Sequence, residues 1–382
     1  LSNNSLNSGS ANNIRWEIAT SDTSSGTFSL VIRQGNDSQN NKSVLETWPN
    51  LSLDPKQDNY ISKVIGDQKF TYNSTENYIQ ITGDYRNASR YVRVSSVNTP
   101  TPNYFNNAGT AKSEYVDYIP VVGSGSYGGS FASGVGSIIP TGRQMQMYNA
   151  ISATDSQGVL GIDYNNMLTL LSNADEYKYN ILLLPGLTNA SHTSQLTTAI
   201  QNAQSRGDNM VVIDPNLYGA SLTAPLTQAA SRNTSYAAMY WPWVQTFDSG
   251  TGKQVWLPAS TLMGGVFAFN DNAGEPWFAP AGINRGGMNS VIRAERKLTQ
   301  SNRDDLYQGN VNPIASFPGT GVVVYGQKTL QKTASALDRV NVRRLLITLK
   351  SYISQVALNL VFEQNTAATR NNFLAAVNPY LE

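Results

Sequence analysis

Two short apolar runs, Asn180–Leu184 and Met210–Ile213, bracket a stretch of helical period that ends at Gly207, and this succession constrains the fold most tightly. Continuous apolar runs of this length suit strands buried on both faces, which requires helices packed above and below. Strand, helix and strand of these lengths imply a right-handed parallel crossover. Ser191 or Thr193 is positioned to cap the helix through Leu196, Ile200 and Ala203, and Gly207 to end it. Upstream, Asp163 or Asn165 can cap a helix through Leu168, Leu170 and Leu171. Residues 236–258 predict a hairpin around Asp248–Gly252.

The flanking regions have other rhythms. Residues 1–13 lack apolar periodicity and are expected to be a disordered lead or an extended strand in a larger assembly. From Ile14 the chain alternates, at Ile14, Trp16 and Ile18 and again at Phe28, Leu30 and Ile32, with further strand-like stretches at Val44–Trp48, Tyr78–Thr82 and Tyr91–Val97. Residues 14–122 therefore read as a mainly antiparallel β lobe. Residues 123–137 are Gly- and Ser-rich and mark a connection. Gly123, Gly125 and Gly128 satisfy G-x-G-x-x-G, but no helix follows to receive a pyrophosphate, so the linker reading stands. Beyond an α/β segment over 138–259, residues 260–382 read as mostly helical, at Leu262–Phe269, Asn289–Leu298 and Ala367–Val377, interrupted by a strand at Val322–Gly326. The most regular helix runs from Asn341, a candidate N-cap, with Val342, Leu345, Leu346, Leu349, Tyr352, Ile353, Val356, Ala357 and Leu360 in one stripe.

With 382 residues the chain has room for two or three domains. Only 14% of residues are charged, well under the roughly 25% of an average soluble domain. Uncharged polar surface suits a protein that packs against copies of itself, and a plain compositional bias would look the same. A formal net charge of +1 removes the general case for nucleic-acid binding, which needs a basic stripe to displace counterions. No apolar run is long enough to predict a membrane-spanning helix. The chain opens at Leu1 with no charged and apolar leader, and is expected to be a trimmed piece. With no cysteine and a single histidine, His192, thiolate sites are excluded and histidine-pair metal sites are not available. Asp214 stands at the C-terminal end of a predicted parallel strand, where ligands of open sheets gather; a capping or turn role through Asp214-Pro215 is the plainer reading. No nucleophile elbow and no P-loop is present, so neither an enzyme nor a cofactor is expected.

Cations crowd the C-terminal third: Arg285, Arg293, Arg296, Lys297, Arg303, Arg339, Arg343, Arg344 and Lys350. Arginine is suited to bidentate pairing with carboxylates. Some are expected to staple the domain against Glu295, Asp304, Asp305 and Glu363, and others to face a partner. Arg343 and Arg344 are favoured for contact because they lie beside the apolar stripe. The same region carries P-A-G-x-x-R-G at Pro280–Gly286, R-D-x-L-Y at Arg303–Tyr307, N-P-I at Asn312–Ile314, Y-G-x-x-T at Tyr325–Thr329, N-V-R-R at Asn341–Arg344 and F-E-x-N at Phe362–Asn365. These six elements, in this order, resemble the contractile phage tail sheath proteins. Val44–Gly66 is similar to that family's β lobe.

The resemblance implies a multidomain α+β and α/β fold: an outer antiparallel β lobe, a central α/β sandwich segment with a parallel crossover, and a helical C-terminal sheath domain. It implies a structural, non-enzymatic virion subunit without a cofactor, assembled in the host bacterial cytoplasm into the bacteriophage tail. There it would polymerise with itself as hexameric rings and a helical sleeve around the inner tail tube protein, meet baseplate and tail terminator proteins, and contract for genome ejection. Neither membrane insertion nor direct nucleic-acid binding is implied. Arg285, Arg303, Arg339, Arg343, Arg344 and Lys350 become the candidates for inter-subunit or tube contact. The family also has an N-terminal arm and a C-terminal β segment that exchange strands between neighbours, and this sequence is expected to lack both. A bacterial contractile injection system or a phage-tail-like bacteriocin fits the same motifs. A secreted carbohydrate-binding or hydrolytic β protein, using Trp241 or Trp243, is the alternative of another class.

Overall fold

Alternating residues send successive side chains to opposite faces of a strand, and in β1 (Ile14–Asp22) and β2 (Thr27–Gln34) that alternation builds an antiparallel pair which β3 (Val44–Ser52) extends. The computed structural model describes residues 14–123, 129–130, 151–153, 155–156, 159–249 and 253–381. The expected lead over 1–13, and all of the Gly/Ser-rich connection except residues 123 and 129–130, lie outside them. The chain divides into two compact units, residues 1–138 and 139–382.

In the first unit, Ile18, Phe28 and Leu51 from the three strands pack with Leu53, Tyr104 and Ile119, and with Ile65 of α1 (Ile61–Ile65). A hairpin of β4 (Lys69–Asn73) and β5 (Tyr78–Thr82), the short α2 (Ser113–Val116) and β6 (Gly129–Ser130), which pairs with β1, complete it. The strand expected over Tyr91–Val97 is absent: the segment lends Val92, Val94 and Val97 to the core, but its backbone joins no ladder. At one end of the sheet Arg33 is buried between two acids, donating to Glu17 at 2.6 Å and to both oxygens of Asp37 at 2.7 and 2.9 Å.

The second unit opens with the small pair β7 (Asp155–Ser156) and β8 (Val159–Leu160) and then α3 (Gly161–Leu171). Asp163 sits in the first turn of α3 and accepts the backbone N–H of Leu160, one of the two capping options the sequence offered. β9 (Ile181–Thr188), α4 (Thr193–Arg206) and β10 (Met210–Asp214) form the expected parallel crossover, with Gly207 ending α4 at φ 70°. His192, rather than Ser191 or Thr193, occupies the position before α4. After α5 (Thr223–Ala230), β11 (Ala237–Trp241) pairs parallel with β10, and the hairpin is made by β12 (Val244–Asp248) and β13 (Lys253–Leu257).

Residues 260–382 are not the helical domain expected. α6 (Ala259–Ala273) is followed by β14 (Val291–Ala294), which replaces the helix read over Asn289–Leu298 because it finds a partner in β12. α7 (Gln300–Gln308) leads into β15 (Val311–Phe317), parallel to β11, and β16 (Gly321–Val324) turns back antiparallel. The main sheet, in order β16-β15-β11-β10-β9, thus draws strands from both sides of residue 259. α8 (Val340–Leu358) and α9 (Ala367–Leu381) close the chain. Arg339, not Asn341, precedes α8, and its side chain gives no capping bond.

Both faces of this sheet are covered. Val211, Ile213, Met239 and Val311 face Leu168 of α3, Leu196, Ala199 and Ile200 of α4, and Leu306 of α7. Met210, Val212, Ala238 and Ile314 face Met263, Val266 and Phe267 of α6, and Val340 and Ile347 of α8. Only the covered-strand reading of the sequence explains why residues of both parities are apolar there. The two sheet edges differ. β9 bulges opposite Ile213, where Pro185 is exposed and Gly186 takes φ 92°. β16 is flanked by the 282–288 segment, which bonds to it through Gly282, Gly286 and Met288.

Candidate functional site

The motif residues of the C-terminal third converge where β15 and β16 meet the chain that follows them. The Asn312 amide clips β15 to residue 328 with two bonds, Nδ2 to the Lys328 carbonyl at 2.8 Å and Oδ1 from the Lys328 N–H at 2.6 Å. The Thr329 hydroxyl donates to the Leu337 carbonyl at 2.9 Å. Gly326 lies so close to β15 that a Cβ there would come within 2.9 Å of Pro313. Gly286 packs on β16 itself, and a Cβ would meet the Val324 carbonyl oxygen at 2.6 Å. Gly286→Ala is therefore expected to destabilise the unit by about 1–3 kcal/mol, since the obstacle is backbone rather than a yielding side chain. Denaturant unfolding checks this, and wild-type stability would mean that the loop lifts freely from the strand.

These clips shape a cleft of about 690 Å³ between α7 and the 281–282 and 325–327 segments, lined by Gln300, Arg303, Asp304, Tyr307, Tyr325 and Gln327 among others. Its chemistry is cations on rings. Arg303 donates to the Leu298 carbonyl at 3.0 Å and lies 5.1 Å from the Phe317 ring and 5.7 Å from Tyr325. The Tyr307 ring carries Lys328 at 4.7 Å and Arg339 at 5.7 Å, and Arg339 also donates to the Tyr307 hydroxyl. Burial and the neighbouring Arg339 lower the Lys328 pKa, against the pull of Asp338. Cation–ring contacts hold a guanidinium without consuming its N–H donors. Arg303 enters no ion pair among the described residues, whereas Arg339 reaches Asp338 at 3.4 Å.

The other candidates are placed differently. Arg285 donates to the Ala279 carbonyl and lies over Phe278. Lys350 donates to the Arg206 carbonyl at the end of α4. Arg343 and Arg344 are not the surface contacts expected, being 6% and 3% exposed. Arg344 pairs with Asp271 at 2.6 Å over the Phe267 ring, and Arg343 donates to the Ser235 hydroxyl over the Tyr236 ring. The reason is that α8 turns Val340, Arg343, Arg344 and Ile347 inward, leaving the apolar stripe only partly covered, with Leu346 at 41% exposure. Nor do the expected staples form. Among the described residues Glu295, Asp304, Asp305 and Glu363 make no ion pair, and Glu295 instead accepts the backbone N–H groups of Gly219 and Trp243.

Asp214 and His192 are also interior. Asp214 accepts the N–H and hydroxyl of Ser260 at 3.0 and 2.5 Å, so it caps the start of α6 from a distant strand. Burial raises its pKa to about 7, and the Ser260 bonds oppose the shift. His192 is 2% exposed; Nδ1 accepts the Thr188 N–H, and burial lowers its pKa. No group of metal-binding side chains occurs among the described residues. Trp241 and Trp243 are 1% and 2% exposed and cannot offer a stacking platform to a sugar. What sequence reading missed was the rings: Tyr307 and Tyr325 look like core residues, and Phe317 stood out in no motif.

Residues 158–330, which contain the covered sheet and the cleft, match the family model for the phage tail sheath protein central domain. The tail sheath protein of Vibrio phage KVP40 is 39% identical over 149 residues, covering 39% of this chain and 22% of that protein. The tail sheath protein of Enterobacteria phage T4 is 36% identical over 150 residues, covering 39% and 23%. These matches thus span under a quarter of each curated relative's length. Among solved structures, the sheath tail protein from Listeria innocua aligns over 97% of this chain and 65% of its own, with a TM-score of 0.49 and 11% identity. The contracted helical sheath of the anti-feeding prophage aligns over 58% and 59%, with a TM-score of 0.46 and 24% identity. Residues 158–330 are thus similar to the central domain of phage tail sheath proteins.

Proposed function

We propose that this chain is a structural subunit of a contractile tail sheath, polymerising with itself as stacked sixfold rings around an inner tube and shortening to drive that tube through a cell envelope. The observation that carries the reading is the coincidence of the sheath central-domain match with the doubly covered sheet and the cleft that holds Arg303. A sheet covered by helices on both faces keeps its internal packing, so in this reading the difference between extended and contracted sleeves lies in contacts between subunits. A gain of a few kcal/mol at each subunit, summed over a long polymer, drives such a change without nucleotide. Arg285, Arg303, Arg339 and Lys350 remain the candidates for contact with the tube or a neighbour, while Arg343 and Arg344 act inside the domain. The baseplate and the tail terminator are the partners at the two ends of the sleeve, in a virion tail assembled in the host bacterial cytoplasm.

Expression in full-length context, with and without the tube protein of the same tail, tests this by negative-stain electron microscopy. Hollow striated sleeves are expected. Dispersed particles under both conditions overturn the reading.

A further inference from the structure

The two edges of the main sheet carry a cleft with a ring-held guanidinium and a turn with two exposed acids. At its β15–β16 edge lies the cleft, whose charged lining residues are Arg303 and Asp304, with Lys328 and Arg339 beside it on the Tyr307 ring and Asp338 engaged by Arg339. At its other edge the turn that leads into β9 exposes Asp175 and Glu176, and neither enters an ion pair among the described residues. The turn is fixed rather than loose: the Asn173 side chain accepts the Asp175 N–H at 3.1 Å, and the Asn173 carbonyl accepts the Tyr177 N–H at 3.2 Å. Lys178, exposed in the same turn, leaves it one net negative charge. Four strand spacings, roughly 19 Å, part the two edges.

We infer that the cleft of one copy receives the Asp175–Glu176 turn of a second copy. This rests on the self-assembly reading above and names the contact that serves it. Three arguments carry it. The guanidinium of Arg303 is oriented by two rings and one carbonyl, so binding a carboxylate costs little further ordering. Its free N–H edge is complementary to the paired acids of the turn. And donor and acceptor sit on different patches of the same unit, so the contact is heterologous and propagates from copy to copy, closing as a ring or running on as a helix.

Sedimentation equilibrium of the full chain, with charge-swapped variants, tests the inference. Arg303→Glu is expected to weaken self-association at least about tenfold. The double change Asp175→Lys with Glu176→Lys, at an exposed turn that leaves the core alone, is expected to do the same. All three changes in one chain are expected to restore association. Association unchanged in the Arg303 and turn variants, in a chain that still forms sleeves, overturns this contact and leaves the sheath reading intact. Single losses that the combined variant fails to restore also overturn it. A wild-type chain that forms no complex with itself removes both.

Discussion

Arg33→Ala is expected to cost the first unit about 3–5 kcal/mol, the range for removing one partner from a buried ion network. Arg33 is 1% exposed, and its guanidinium also donates to the Ser38 carbonyl and the Gln39 side chain. Without it, Glu17 retains only Lys42 at 2.7 Å, and Asp37 only the more distant Arg15 at 3.6 Å among its ionic partners. Burial pushes both carboxyls up, yet Lys42 and Arg33 hold Glu17, and Arg33 with the Ser43 N–H holds Asp37, below their ordinary values. Folded values below unfolded ones mean a contribution that is complete above the ordinary carboxylate range and lost as pH falls through the folded values. The deficit of the variant is thus largest near neutral pH and shrinks in acid. Replacing all three residues with neutral ones, as Arg33→Met with Glu17→Gln and Asp37→Asn, is expected to recover most of the loss. Urea unfolding of each variant at two pH values decides it, and a deficit below about 1 kcal/mol at pH 7 would mean that water reaches the acids.

Asp214→Asn carries the opposite expectation. The folded carboxyl titrates near 7 against an ordinary 3.8, chiefly because it is buried. Between those values the unfolded chain has released this proton while the folded chain keeps it, so the unfolded state binds fewer protons and stability falls as pH rises. The full penalty, on the order of 4 kcal/mol, is reached above pH 7. Asparagine imitates the neutral acid and retains an acceptor for the Ser260 N–H. The variant should match wild type near pH 4 and exceed it by a few kcal/mol at pH 8. Denaturant midpoints for the second unit across that range test this, and parallel profiles would show that Asp214 is ionised in the folded chain.

The crossover of β9, α4 and β10 was legible because burial on both faces leaves a continuous apolar run and because Gly207 marks the helix end. Where the reading failed, a local pattern met a partner that the sequence does not display. Val291, Ile292 and Ala294 suit a short helix or a short strand equally, and β12 decided for the strand. Tyr91–Val97 alternates as a strand does, but period two reports only which side faces the core, and Val92 and Val94 face it without a ladder. In α8 the apolar stripe suggested the buried face, whereas rings from Tyr236 and Phe267 take in Arg343 and Arg344 by their flat guanidinium surfaces. The motifs of the C-terminal third were legible as a set. That those at Pro280–Gly286, Arg303–Tyr307, Asn312–Ile314 and Tyr325–Thr329 build or brace the walls of one cleft depends on Asn312, Gly286 and Gly326 joining segments far apart in sequence.

The bulge in β9 bears on what the main sheet offers to other chains. Bare sheet edges invite indiscriminate strand pairing, and the usual outcome is amorphous aggregate. Here Pro185 withholds a donor and the bulge breaks the spacing that an incoming strand would need, while the opposite edge is already sheathed by its own chain at Gly282, Gly286 and Met288. The main sheet is thereby guarded at both edges against generic backbone contacts with another copy. Under the proposed assembly, any contact made at these two edges is left to side chains, whose match is selective.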